Sequence, residues 1–104
     1  MIAALVLFEL DMDEALALDE ATQRFNSTAP NYRGLDGLHA KAYLYGEEGA
    51  QLGGFYVWES RAAAEAIYTD AWRTAVTEIY GVAPTVRYFD VPVFIDNRAA
   101  AGSS

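Results

Sequence analysis

The chain has 104 residues, seven Lys and Arg against fifteen Asp and Glu, a formal charge of −8 and no cysteine. One domain is the expectation at this length, and such acidity repels phosphate backbones, which argues against nucleic acid and anionic membrane surfaces as partners. The absence of cysteine excludes disulfides, thiol catalysis and thiolate metal sites, and fits a reducing, cytoplasmic setting.

Ile2 to Leu10 is apolar nearly throughout and reads as a central strand buried on both faces. It lacks the basic start of a signal peptide, and no apolar run reaches the roughly 20 residues of a membrane span. Asp11, with Glu14 three residues on, has the form of a capping box. The following helix should turn Ala17, Leu18, Ala21 and Phe25 to the sheet. Its acidic run (Asp11, Asp13, Glu14, Asp19, Glu20) reads as a solvated face rather than a metal site. Asn26 to Gly37 is rich in Asn, Ser, Thr, Pro and Gly, hence a loop, and is long enough to serve as a pocket lid.

Leu38 to Tyr45 alternates, with Leu38, Ala40, Ala42 and Leu44 on one side and His39, Lys41, Tyr43 and Tyr45 on the other. Leu38 and Leu44 are expected on the helix side. Gly46 to Gly49 connects this strand to a partner over Leu52 to Trp58. Ser60 caps a short helix presenting Ala64, Ile67 and Tyr68. Thr69 or Asp70 restarts the chain into a second helical segment bearing Trp72, Val76 and Ile79, which Gly81 ends ahead of Pro84. A long last strand is expected from Thr85 to Ile95, with Pro92 confining it to an edge or a bulge. Residues 1–97 thus form one domain, and 98–104 a flexible tail.

The order β-α-β-β-α-β, with the second helix broken, predicts an α+β, ferredoxin-like antiparallel sheet ordered 4-1-3-2 with the helices on one face. The uncovered face and the high apolar content, 53%, favour a homodimer pairing sheet to sheet as a dimeric α/β barrel.

Several side chains could carry chemistry. His39 is the sole histidine, a residue type that ordinarily titrates near neutrality, and is a candidate base beside Lys41 and Tyr43; the alternative is a solvent or dimer-facing position. Trp58 and Trp72, with Phe55, Tyr56, Tyr68 and Tyr88, form an aromatic set suited to sandwiching a planar ligand, the alternative being plain core packing. Tyr32 and Arg33 in the long loop could close over a ligand, with Arg33 countering a developing phenolate; ordinary surface roles are the alternative. With one histidine, no cysteine and no glycine-rich nucleotide motif, no metal or organic cofactor site is indicated.

The segments Val57-Trp58-Glu59-Ser60-Arg61, Tyr68-Thr69-Asp70-Ala71-Trp72-Arg73 and Val86-Arg87-Tyr88-Phe89-Asp90-Val91-Pro92-Val93 resemble the YdhR-like monooxygenase family, within the dimeric α/β-barrel group that includes antibiotic-biosynthesis monooxygenases. The resemblance implies a homodimer with a pocket between sheet and helices in each subunit. It also implies cofactor-independent oxidation of a small planar, electron-rich aromatic or polyketide-like compound, which supplies its own electrons once deprotonated. Under that expectation His39, Tyr68 and Arg33 are the catalytic candidates, and Trp58, Trp72, Tyr56, Tyr32, Tyr43 and Tyr88 bind substrate. The same pocket suits a polyketide cyclase or isomerase, or a dimer that binds aromatics without changing them.

Overall fold

The computed structural model describes residues 1–98, and the tail expected over 98–104 lies outside them from 99 onward. Four strands, β1 (Ile2–Glu9), β2 (Leu38–Gly46), β3 (Gln51–Trp58) and β4 (Thr85–Asp90), pair antiparallel in the order β2-β3-β1-β4. Three helices, α1 (Leu18–Thr28), α2 (Arg61–Ile67) and α3 (Asp70–Tyr80), complete a ferredoxin-like α+β fold. This is the predicted sheet order read from its other edge, with the second helix broken where expected.

The pairing register sorts side chains by face, since directly opposed residues project to the same side. Ala4, Val6 and Phe8 of β1 oppose Tyr56, Gly54 and Leu52 of β3. These β1 residues, with Leu52 and Tyr56, share one core cluster with Ala21 and Phe25 of α1, Ala64 of α2, and Val76 and Tyr80 of α3. All helices therefore cover a single face. The other face carries Leu5 and Leu7 of β1 opposite Phe55 and Gly53, and Phe89 opposite Ala3. In the single chain Phe55 is 40% exposed and Phe89 41%, so β1 is sealed on the helix side and only partly covered on the other.

Local chemistry explains most boundaries. Ser60 Oγ accepts from the Ala63 amide and Thr69 Oγ1 from the Trp72 amide, so each half of the broken helix has its own side-chain cap. Gly81, in the left-handed conformation, ends α3.

Three expectations are corrected. The capping box at Asp11 does not form: Asp11 precedes a 3-10 turn, Met12–Glu14, without a side-chain cap, and α1 starts only at Leu18. The intervening segment is extended because its backbone is bound elsewhere, Leu10 N–H to Ala50 O at 2.7 Å and Leu16 N–H to Gly49 O at 3.1 Å. Leu16 is buried in consequence, while Ala17 and Leu18 are exposed. The last strand is six residues, ending at Asp90 instead of Ile95. Val91 N–H still reaches Met1 O at 3.1 Å, but Pro92 has no N–H to carry the ladder on.

The third correction concerns β2. Leu38 pairs with Trp58 and Ala40 with Val57, leaving His39 as an unpaired bulge residue. Beyond it the pairing Lys41–Tyr56, Tyr43–Gly54 and Tyr45–Leu52 places these three β2 side chains on the helix side. Leu44, opposite Gly53, lies on the open face, not the helix side as predicted, and Leu38 joins Lys41 rather than Ala40.

Gly49 ties the β2–β3 connection to the segment before α1. It has φ +96°, and a Cβ there would fall 1.8 Å from the Leu16 carbonyl oxygen. Gly49→Ala should therefore cost about 3 kcal/mol through backbone clash and strain, read as a lower urea midpoint with an unchanged m-value.

Candidate functional site

Lys41 is the only lysine in the chain, and the bulge turns it inward. Its ammonium lies 3.5 Å from the ring centroid of Tyr43, 3.9 Å from that of Tyr32 and 4.5 Å from that of Tyr56. The three rings come from different parts of the fold. Tyr43 is two residues along β2 and so on the same face. Tyr56 is directly opposite on β3, and Tyr32 follows the 3-10 turn Ala29–Asn31 that extends α1. Cation–π attraction offsets part of the desolvation of the amine. The ion pairs among the described residues are Arg24–Glu20 and Arg61–Glu65, and Lys41 belongs to neither. Burial without a counter-charge lowers its pKa from 10.5 to about 7.

Behind this cage the aromatic residues close a circuit. Tyr32 meets Tyr56 edge-on at 5.7 Å, Tyr56 meets Tyr68 at 5.5 Å and Tyr68 meets Trp72 at 4.7 Å. The Trp72 indole N–H donates to the Tyr32 hydroxyl at 3.0 Å and completes the circuit. Trp58 is fully buried, stacked on Tyr56 at 5.9 Å, and its indole N–H donates to Tyr68 Oη at 3.1 Å. Gly54 leaves room for this arrangement, since a Cβ there would stand 3.0 Å from Tyr56 Cε1. On the other side Tyr43 stacks on Phe25 at 4.8 Å and shares a 2.7 Å hydrogen bond with Thr28. Burial raises the pKa of Tyr43, Tyr56 and Tyr68, and pushes Tyr80 up to about 12. All four phenols thus stay neutral donors at physiological pH.

Tyr32, Lys41 and Tyr43 separate two spaces. Inside, a cavity of about 20 Å³ touches Gly54, Tyr56, Trp72 and Tyr80, room for about one water. Outside, a cleft of about 390 Å³ is bordered by Asn26, Arg33, Leu38 and His39, within the range of small-molecule sites. The outer space brings Lys41, Tyr32 and Tyr43 together with Arg33 and His39 on one lining.

The predicted residues are distributed accordingly. Tyr32, Tyr43, Arg33 and His39 line the cleft, while Tyr56 and Trp72 line the inner cavity. Trp58 and Tyr68 lie behind that wall in the core. Tyr88 is partly buried at the edge strand, with the Arg61 guanidinium 4.2 Å from its ring centroid. His39 is exposed at the rim rather than beside Lys41 and Tyr43. The residue at the centre, Lys41, was visible in the sequence as the sole lysine, on a strand and flanked at i+2 by a tyrosine. Among the described residues no group of three or more His, Asp or Glu is placed to hold a metal ion, and no helix is long and apolar enough to cross a membrane.

No protein-family model matches the sequence, and no curated protein is similar to it. Solved structures do match. The Streptomyces coelicolor monooxygenase ActVA-Orf6, solved in complex with nanaomycin D, aligns with TM-score 0.64 at 16% identity over 90% of this chain and 89% of its own. SnoaB, a cofactor-independent oxygenase from Streptomyces nogalater, aligns with TM-score 0.63 at 14% identity over 90% and 95%. Rv0793 from Mycobacterium tuberculosis aligns with TM-score 0.65 at 14% identity over 91% and 98%. At these identities the likeness is one of fold.

The Lys41 shift has a stability signature. The native amine releases its proton near pH 7, whereas the unfolded one holds it to about 10.4. Between those values the unfolded state binds more protons, so stability rises with pH and the penalty is greatest below pH 7. The buried tyrosines act oppositely, but only above about pH 10, where the unfolded phenols ionise. The melting temperature should rise by several degrees from pH 7 to 9.5, and Lys41→Met should remove that rise; calorimetry across the pH series checks both.

Proposed function

We propose that the protein is a cofactor-independent monooxygenase of the YdhR-like kind, acting on a small planar, electron-rich aromatic or polyketide-like compound. One observation carries the reading: an amine set among three tyrosine rings on the lining of an open cleft, where burial lowers its pKa. Similarity of fold to ActVA-Orf6 and SnoaB supports it.

The chemistry follows from the placement. Tyr32 and Tyr43 hold the planar substrate, and Lys41 as the neutral amine takes a proton from its phenol or activated methylene. The resulting anion is stabilised by the ammonium so formed and by Arg33 on the same cleft. An electron-rich anion can then pass electrons to O₂ directly. For a methylene, one oxygen atom becomes the product carbonyl, and the other leaves as water with the two hydrogens of the carbon, so no external reductant is needed. The Trp72–Tyr32 hydrogen bond holds Tyr32 in place over the amine. His39 at the rim is placed to exchange protons with solvent. Tyr68 acts only through Tyr56 and Trp72, which stand between it and the cavity.

The working form is a homodimer in which a second copy covers the open face of the sheet. Supporting this are Phe55 and Phe89 on that face and Val93 and Ile95 beyond β4, the last two each 75% exposed. Light scattering at micromolar concentration should give the mass of two chains, and Phe89→Asp should give a folded single chain. A wild-type monomer would remove the barrel arrangement.

The activity is tested by incubating phenols and anthrones with the protein under ¹⁸O₂ without added flavin or metal. Incorporation of one labelled atom into the product is expected, and Lys41→Met should lower turnover about a hundredfold while leaving the dimer intact. Equal turnover without oxygen would move the assignment to a cyclase or isomerase. Quenching of Trp fluorescence by the same compounds, with none of them changed, would make the protein a binder.

A further inference from the structure

The outer cleft is unlike the rest of the molecule in charge. The chain carries −8 overall, yet the residues bordering the cleft include Lys41, Arg33 and His39 and no Asp or Glu. Its floor is an amine on three tyrosine rings. An apolar side chain at position 41 would pack against those rings without desolvating an ionisable group, so packing alone does not account for a lysine here. No ion pair among the described residues engages it, and burial alone lowers its pKa. An amine desolvated in this way and open to a cavity has the properties of a carbonyl-attacking nucleophile.

We propose that Lys41 forms an imine with a planar aromatic aldehyde or ketone bearing an acidic substituent, a carbonyl-condensing activity separate from oxygenation. The amine nitrogen adds to the carbonyl carbon to give a carbinolamine. The carbon–oxygen bond then breaks, and the oxygen departs as water with the two protons that the neutral amine carried. No oxidant or reductant enters. Tyr32 and Tyr43 flank the ring of the bound carbonyl compound, Arg33 pairs with its acidic group, and His39 at the rim is the other titratable group able to move a proton during dehydration. The remaining ring facing the amine, Tyr56, is kept protonated by burial. The inference does not rest on the oxygenase reading.

The test uses the whole protein, 4-formylbenzoate and cyanoborohydride, which reduces an imine to a stable secondary amine. Lys41 is the sole lysine of this sequence, and in a sample beginning at Met1 the α-amine of that residue serves as an internal reference after digestion and mass spectrometry. The peptide containing Lys41 is expected to gain the mass of the probe less one oxygen atom. Its rate at pH 7 should be at least about tenfold that of Nα-acetyl-lysine in the same mixture, as the larger fraction of neutral amine requires. The uncharged 4-methylbenzaldehyde should react with Lys41 several-fold more slowly, and Arg33→Gln should erase that difference by raising the half-saturating concentration of 4-formylbenzoate. Labelling confined to Met1, or Lys41 reacting no faster than Nα-acetyl-lysine, would overturn the nucleophile. Equal rates for the two aldehydes would overturn the ligand class. Oxygen uptake in parallel samples scores the oxygenase reading separately, so neither result stands in for the other.

Discussion

One unpaired residue decides what the sheet shows to the helices. A strand's side-chain period is two, so a single bulge transfers everything on one side of it to the other face. Without His39 as the extra residue, a Leu38 on the helix side would be followed there by Ala40, Ala42 and Leu44, an ordinary apolar edge. With it, Leu38 stays on the helix side and Lys41, Tyr43 and Tyr45 follow. The edge strand thereby contributes an amine and phenols to the interior. Each finds a partner already present: Tyr56 and Tyr32 for the amine, Thr28 for Tyr43, and the Leu16 carbonyl for Tyr45 at 2.8 Å.

The aromatic circuit makes this tolerable. A lysine buried against aliphatic side chains would meet only the cost of desolvation. Here it faces ring quadrupoles, and two of the rings are held from behind, Tyr32 by its hydrogen bond from Trp72 and Tyr56 by stacking on Trp58. The tryptophans therefore act by fixing tyrosines rather than by presenting themselves to the cleft. That places the two parts of the broken helix in a definite role. The Thr69 cap starts a new helix three residues before Trp72, setting the indole where its N–H meets a hydroxyl from the far side of the cavity. The break in the helix and the stability of the cage are thus linked through one hydrogen bond.

The fold was legible because it depends on patterns spread over many residues. Continuous apolarity marks β1 as central, Ser60 and Thr69 announce their caps, and Gly81 ends α3. What escaped the sequence depends on single backbone bonds to distant residues. Asp11 and Glu14 have the spacing of a capping box, but Leu10 and Leu16 donate to Ala50 and Gly49, and a helix across that segment would sacrifice both bonds. β2 likewise has clean alternation, and nothing in it marks His39 as a bulge until the pairing with Trp58 and Val57 is known. For the site the consequence was direct. The aromatic residues were recognisable by type, while the identity of the ionisable group among them turned on a register shift that no local pattern encodes.

The same register shift bears on how the chemistry is divided. His39, by ordinary pKa the expected base, is carried to the exposed rim, and the lysine two residues later takes the interior place. Histidine needs little help to titrate near neutrality, whereas lysine does so only when water is kept from it. The fold has put the imidazole at the exposed mouth of the cleft. The amine is on the floor, where three rings shield it and no ion pair among the described residues restores its charge. An interior amine and a rim imidazole thus border the same cleft. Residue type alone puts the expected base at position 39, and the register puts a buried amine at position 41 instead.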